Sequence, residues 1–146
     1  MDAEISKPER KAHQNRTSYY GSTFPVWYTQ QEFKKFGDIV CAKLSQLRTG
    51  TAGVLAIGSR NMTHEEVDCE GAITELTRRA RRQDHTFFRT KGFAGTADFL
   101  SQYSRLSAII FRSSWIGSGP RNFVWNNDQA AIALEPQVVD HLTRMD

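Results

Sequence analysis

The chain has 146 residues, 39% of them hydrophobic and 24% charged, with 10 Gly, 4 Pro and a net charge of +3. That is one domain of ordinary globular composition, which excludes a collagen-like, low-complexity or wholly disordered chain. No apolar run approaches the ~20 residues that span a bilayer, the start Met1-Asp2-Ala3-Glu4 carries no apolar leader, and Cys41 and Cys69 are too few for a disulfide framework or a zinc site of their own; the expectation is a cytoplasmic protein with reduced thiols, no membrane contact, no metal and no cofactor.

Residues 1–17 are polar, charged and aperiodic, and read as a flexible tail. Residues 18–28, Ser-Tyr-Tyr-Gly-Ser-Thr-Phe-Pro-Val-Trp-Tyr, are too aromatic to stay in water and read as an arm packed on the domain or on a partner. A single α/β domain follows over 29–146. Its first helix spans about Thr29 to Leu47. Thr29 and Glu32 have capping-box spacing, and Phe33, Phe36, Val40, Leu44 and Leu47 recur every third or fourth residue. Thr49-Gly50-Thr51 ends it. Gly53-Val54-Leu55-Ala56-Ile57 is an unbroken apolar run, the pattern of a strand buried on both faces.

The second helix starts at Thr63, with Glu66 as its capping partner and an apolar face of Val67, Ile73, Leu76 and Ala80. His85-Thr86-Phe87-Phe88-Arg89 reads as a second strand. A turn containing Gly92 and Gly95 leads to a third helix, about Thr96 to Leu106. Ser107–Phe111 is a third strand. A long loop runs from Ser113 to about Asn122, and a short helix covers Phe123 to Asp128. Ala130–Leu134 is a fourth strand. Pro136 suits the first position of a last helix with Val138, Val139 and Leu142 facing inward. Strands alternating with helices predict a small Rossmann-like three-layer fold with a mostly parallel four-stranded sheet.

Ligands of such sheets bind beyond the carboxyl ends of the strands. Three turns are placed there. Gly58-Ser59-Arg60 leads from the first strand towards a helix; its backbone amides, hydroxyl and guanidinium suit an anion, although a plain turn with a solvated Arg needs the same residues. Gly92 to Asp98 is the second, with Thr96 and Asp98 either contacting a ligand or capping a helix. Trp115 to Asn122 is the third: Gly119 permits close approach, Arg121 and Asn122 offer donors, and Trp115 either stacks on a ring or packs as a rim aromatic. The histidines show no metal spacing, and no catalytic constellation assembles.

Nine basic and two acidic residues fall within 78–121. Arg78, Arg79, Arg81 and Arg82 complement the dipole of the second helix. Together with Arg89 and Lys91 they also make the alternative of a nucleic-acid surface.

Val54-Leu55-Ala56-Ile57-Gly58-Ser59-Arg60-Asn61-Met62-Thr63 resembles the opening strand and Gly-Ser-Arg loop of the SLOG superfamily, in particular its YspA-like and DNA-processing protein A branches. Gly92-Phe93-Ala94-Gly95-Thr96-Ala97-Asp98 is similar to their second Gly-rich turn, with Gly95 one residue early and Thr96 in a Gly position. Trp115 with Gly119-Pro120-Arg121-Asn122 resembles their Trp…Gly-Pro-x-Arg-Asn element, one residue shorter. The resemblance implies a Rossmann-like fold that binds a nucleotide or nucleotide-derived molecule of the ADP-ribose kind, as a sensor or sequestering protein. Gly58, Ser59 and Arg60 would hold phosphate, Gly92, Thr96 and Asp98 would line the second loop, and Arg121 and Asn122 would close the site. The Pro-Gly-Gly-x-Gly-Thr loop expected after the fourth strand is absent, and Glu135-Pro136-Gln137 stands there. In the phosphoribohydrolase branch that loop carries the catalytic Glu, so the resemblance implies binding, or a site completed by a second subunit. Alternatives are a nucleic-acid accessory protein, a nucleotide N-glycosidic hydrolase, and an interaction module that forms homo-oligomers through the aromatic arm 19–28.

Overall fold

The computed structural model describes residues 26–58, 66–115 and 119–145. Helix α1 spans Val26–Leu44, so Val26, Trp27 and Tyr28 open a helix rather than end an arm, and Thr29 is not its cap. Its apolar stripe is the expected one up to Leu44, with Phe36, Val40 and Leu44 wholly buried and Phe33 half-buried; the helix ends there, and Leu47, expected as its last residue, is half-buried beyond it. Helix α2, Glu66–Arg81, buries Cys69, Ala72, Ile73, Leu76 and Ala80; Thr63, its expected cap, lies outside the described residues. The two helices meet where side chains are smallest. A Cβ on Gly71 would stand 2.6 Å from the tip of the Phe33 ring, so a larger residue there requires that ring to shift.

His85–Thr90 is a helix, α3, and not the expected strand. Local hydrogen bonding decides this. At the end of α2, Gln83 takes a left-handed φ of 53°. Its N–H donates to Ala80 O at 3.0 Å and the Asp84 N–H to Arg79 O at 3.1 Å, the paired bonds of a Schellman stop. Asp84 then caps α3, its carboxylate accepting the Phe87 N–H at 3.2 Å. Helix α4 spans Thr96–Tyr103, and Leu106, expected as its last residue, instead opens a strand. Phe88 stacks on Phe99 with centroids 4.3 Å apart, and Phe99 on Tyr103 at 5.5 Å. These rings are the apolar signal that imitated a strand: one side of a short helix is buried in an aromatic cluster.

The sheet has order β1-β2-β3, with β1 Gly53–Ile57, β2 Leu106–Trp115 and β3 Gly119–Asn126. β1 runs parallel to β2, with Leu55 beside Ile109 and Ile57 beside Phe111. β3 is antiparallel to β2, with Phe123 beside Phe111 and Trp125 beside Ile109. The expected four-stranded, mostly parallel sheet is therefore corrected to a three-stranded mixed sheet with one parallel pair. The stretch expected as a long loop supplies both arms of a hairpin. The expected short helix from Phe123 is part of β3, where Phe123 and Trp125 on one face alternate with Asn122 and Val124 on the other. Ala130–Leu134 forms no strand. Its small side chains bury little, and Ala131, Ile132 and Ala133 are exposed.

Leu55, Ile57, Ile109 and Phe111 face the helical core, with Phe36 edge-on to Phe111 at 5.6 Å. β1 is an edge strand, not one buried on both faces: Ala56 is exposed and Val54 half-buried. Helix α5, Pro136–Arg144, packs on β3 with Pro136 in its first turn as expected. Asn122 Nδ2, on the sheet face away from Phe123, donates to the Leu142 and Met145 carbonyls and fixes α5 on that second face. Of the residues expected to face inward, Val139 and Leu142 are half-buried and Val138 is exposed. The irregular segment before α5 is tied to the sheet by two buried polar residues. Asn127 Nδ2 donates to Leu106 O at 2.7 Å and Tyr103 O at 3.3 Å. Ser107 Oγ accepts the Gly53 N–H at 3.0 Å and donates to Ile132 O at 2.6 Å.

Candidate functional site

A parallel pair joined by a helical crossover leaves the carboxyl ends of both strands at one end of the sheet. Gly58 follows Ile57, which pairs with Phe111, so Gly58 and Arg112 are the next residues at the same end of the pair. Arg112 in turn pairs across the hairpin with Asn122. The first and third of the expected turns therefore share one end of the sheet. Gly58 is exposed, and a Cβ there would stand in open space. Ser59 and Arg60 lie outside the described residues. Trp115, Gly119 and Arg121 lie in the hairpin arms, with Trp115 opposite Gly119; the side chains of Trp115 and Arg121 fall outside the described set. Asn122 spends its amide on α5, a structural task rather than the closing of a pocket.

The second turn has a different character. Gly92 is the left-handed residue that ends α3, with φ 93° and with the Phe93 N–H returning to Phe88 O at 3.1 Å. Thr96 is 4% exposed, and its Oγ1 has no partner among the described residues. Asp98 accepts the Ala94 N–H at 2.8 Å and the Gln102 amide at 3.1 Å, which hold its carboxyl below the usual range. Helix termination and capping account for Gly92 and Asp98, but not for the Thr96 hydroxyl. Among the described residues, no hydrogen bond or ion pair joins this turn to Gly58 or to 119–122. Its bonds run instead to α3: Thr96 N–H to His85 Nδ1 at 3.3 Å, and Arg89 Nε to Ala94 O at 3.3 Å.

Part of the basic stretch is neutralised from within. Arg78 and Arg79 share Glu75 at 2.7 and 2.8 Å. Arg79 also reaches Asp84 at 2.9 Å and lies over the Phe87 ring at 4.1 Å. Burial tends to raise the Glu75 carboxyl, but the two guanidinium contacts outweigh it and hold it low. Lys91 pairs with Asp38 at 2.6 Å. Arg81, Arg82 and Arg89 remain exposed, without an ion-pair partner among the described residues.

No described group of three His, Cys, Asp or Glu side chains converges to hold a metal ion. Both cysteines are buried, and burial pushes the Cys41 thiol up to about 11 and raises Cys69 further still. Neither is a nucleophile at neutral pH. No described helix is long and apolar enough to cross a membrane.

Sequence reasoning missed Arg112, which follows an apolar run as an unremarked final residue. Its signal was present: a charged side chain ends the strand at the level where β1 gives way to its turn. It also missed a cavity at the opposite end of the sheet, which contains Arg48 and Arg105. Compared with known protein families, curated proteins and solved structures, the chain matches none of them.

Proposed function

We propose that the chain binds a nucleotide or nucleotide-derived small molecule where β1 ends, its phosphate against the Gly58–Arg60 turn and Arg112, as a sensor or sequestering protein. One observation supports the reading: the parallel pairing of β1 and β2 ends at Ile57 and Phe111, so Gly58 and Arg112 are the next residues at that end, and Arg112 is exposed with no ion-pair partner among the described residues. Open space at Gly58 admits close backbone approach. A guanidinium at the same end of the pair supplies a paired set of donors for a phosphate. The resemblance to the SLOG superfamily at the same turn points to the same ligand class. The proposed site does not draw on Gly92 and Asp98, which end α3 and cap α4, or on Thr96, whose buried hydroxyl has no partner among the described residues.

The test is calorimetric titration with ADP-ribose and a set of nucleoside phosphates. Saturable binding is expected, weakened at least tenfold by Arg112→Ala or by Arg60→Ala, since a bidentate charged contact contributes about 1.5–3 kcal/mol. Absence of heat with the folded protein across the set, or affinity unchanged in both variants, refutes it. The nucleic-acid alternative draws less support, because Arg78, Arg79 and Lys91 already serve as partners of Glu75, Asp84 and Asp38.

A further inference from the structure

The cavity at the other end of the sheet is built differently. It measures about 240 Å³ and is lined by Arg48, Thr49, Thr51, Ser101, Ser104 and Arg105. It lies where β1 and β2 begin, far along the strands from Gly58. Two arginines line it and no carboxylate does. Neither arginine has an ion-pair partner among the described residues. Asp98 feels the charge of Arg105, but its two oxygens are taken by Ala94 and Gln102.

The neutral donors point the same way. The hydroxyls of Thr49, Thr51 and Ser101 have no hydrogen-bond partner among the described residues. The backbone N–H groups of the turn from Arg48 to Ala52 likewise have no described acceptor. Ser104 is different: its hydroxyl donates to Ser101 O at 2.7 Å, so it braces the wall. The frame is fixed on three sides. The Ala131 N–H donates to Ser104 O at 2.8 Å, Ile132 O is held by Ser107, and Gly53 lies so close to the Arg105 carbonyl that a Cβ would stand 2.4 Å away. Ala131 and Ile132 make an apolar side beside this donor set.

We infer that this cavity, framed by Arg48, Arg105 and the Thr49 and Thr51 hydroxyls, binds the phosphate group of a small phosphate monoester. Two arginines line the cavity without a counter-charge among the described residues, and an anion bound there would supply one. A dianionic phosphate uses both guanidiniums and the surplus hydroxyl donors, where a carboxylate satisfies only one planar fork. The apolar side accommodates the organic remainder. The site is separate from the one proposed at Gly58 and does not depend on it.

The experiment is a titration of the ¹⁵N-labelled full chain, following amide shifts, with inorganic phosphate, with phenyl phosphate and with sodium chloride at matched ionic strength. Saturating shifts confined to residues 48–53, 101–105 and 130–132 are expected with both phosphates and not with chloride. Tighter binding of phenyl phosphate assigns the site to an organic monoester, and equal binding assigns it to the inorganic anion. Arg48→Gln and Arg105→Gln should each weaken the affinity at least tenfold, with unchanged melting temperatures showing that the fold is intact. Arg112→Ala should leave it unaltered, which separates this site from the other. Failure to saturate by about 20 mM, a dissociation constant beyond the weak millimolar range, overturns the inference. So do shifts elsewhere, or binding that survives both Gln variants.

Discussion

Asn127→Ala should destabilise the protein by about 2–3 kcal/mol, and the reason can be followed bond by bond. The side chain is 4% exposed and makes three hydrogen bonds: to Leu106 O at 2.7 Å, to Tyr103 O at 3.3 Å, and from the Gln129 N–H at 3.0 Å. A net value of about 0.5–1.5 kcal/mol per bond gives roughly 1.5–4.5 kcal/mol. The longer bond counts for less, and the part-buried Gln129 N–H can turn to water, which brings the figure to the lower half of that range. The Leu106 carbonyl, left dry and unpaired, supplies much of the loss. Urea unfolding is the assay. With a slope of about 2 kcal/mol per molar for a chain of this size, the midpoint should fall by about 1–1.5 M. Asn127→Asp should be at least as damaging, because it keeps the acceptor, loses the donor and sets a charge against two carbonyls. Since Asn127 ties down the segment leading to Ala131 and Ile132, amide exchange at those residues should also quicken. A midpoint shift below about 0.25 M, equivalent to less than one ordinary hydrogen bond, or an Asp variant as stable as the native protein, would refute the reasoning.

Three further outcomes are expected. Gln83→Gly relieves a left-handed backbone that costs a side-chain-bearing residue about 1–2 kcal/mol, less the extra entropy of glycine, for a net gain of about 0.5–1 kcal/mol by thermal or urea unfolding; a loss of stability would contradict it. Thr96→Val replaces a buried hydroxyl that has no partner among the described residues, so stability should stay within about 0.5 kcal/mol or rise. Ligand binding at Gly58 should be unaffected by the same change, and weakened binding would return Thr96 to the site. Cys41 and Cys69, 4% and 0% exposed with raised thiol pKa values, should resist alkylation at neutral pH and react together once urea unfolds the chain; rapid labelling of the native protein would show that one of them is reachable.

Short-range patterns in the chain were enough to specify the long helices, the first strand and the start of α5. Phe36, Val40 and Leu44 recur at helical spacing and are buried as that spacing requires. Gly92 was legible as a special backbone position, although its purpose is a helix stop rather than a ligand loop. Arg78 and Arg79 were legible as a basic helix end, and their partner Glu75 lies within one turn of them. In each case the interacting residues are near in sequence, so periodicity, capping chemistry and dipole matching suffice.

Tertiary structure, helped at one point by the local Asp84 cap, decided the rest. His85–Arg89 and Phe123–Trp125 are both short apolar runs, and such runs fit either a helix or a strand until their neighbours are known. The first became a helix because Asp84 caps it and Phe99 receives Phe88; the second became a strand because β2 offered it a hydrogen-bonding edge. That Gly58 and Arg112 follow the same end of the parallel pair is set by register, and that Arg48 and Arg105 line one cavity follows from the pairing of Gly53 with Leu106 at the other end. Contacts between residues fifty apart leave no mark on local sequence, since burial and pairing energy depend on which surfaces meet and not on the order in which the chain presents them.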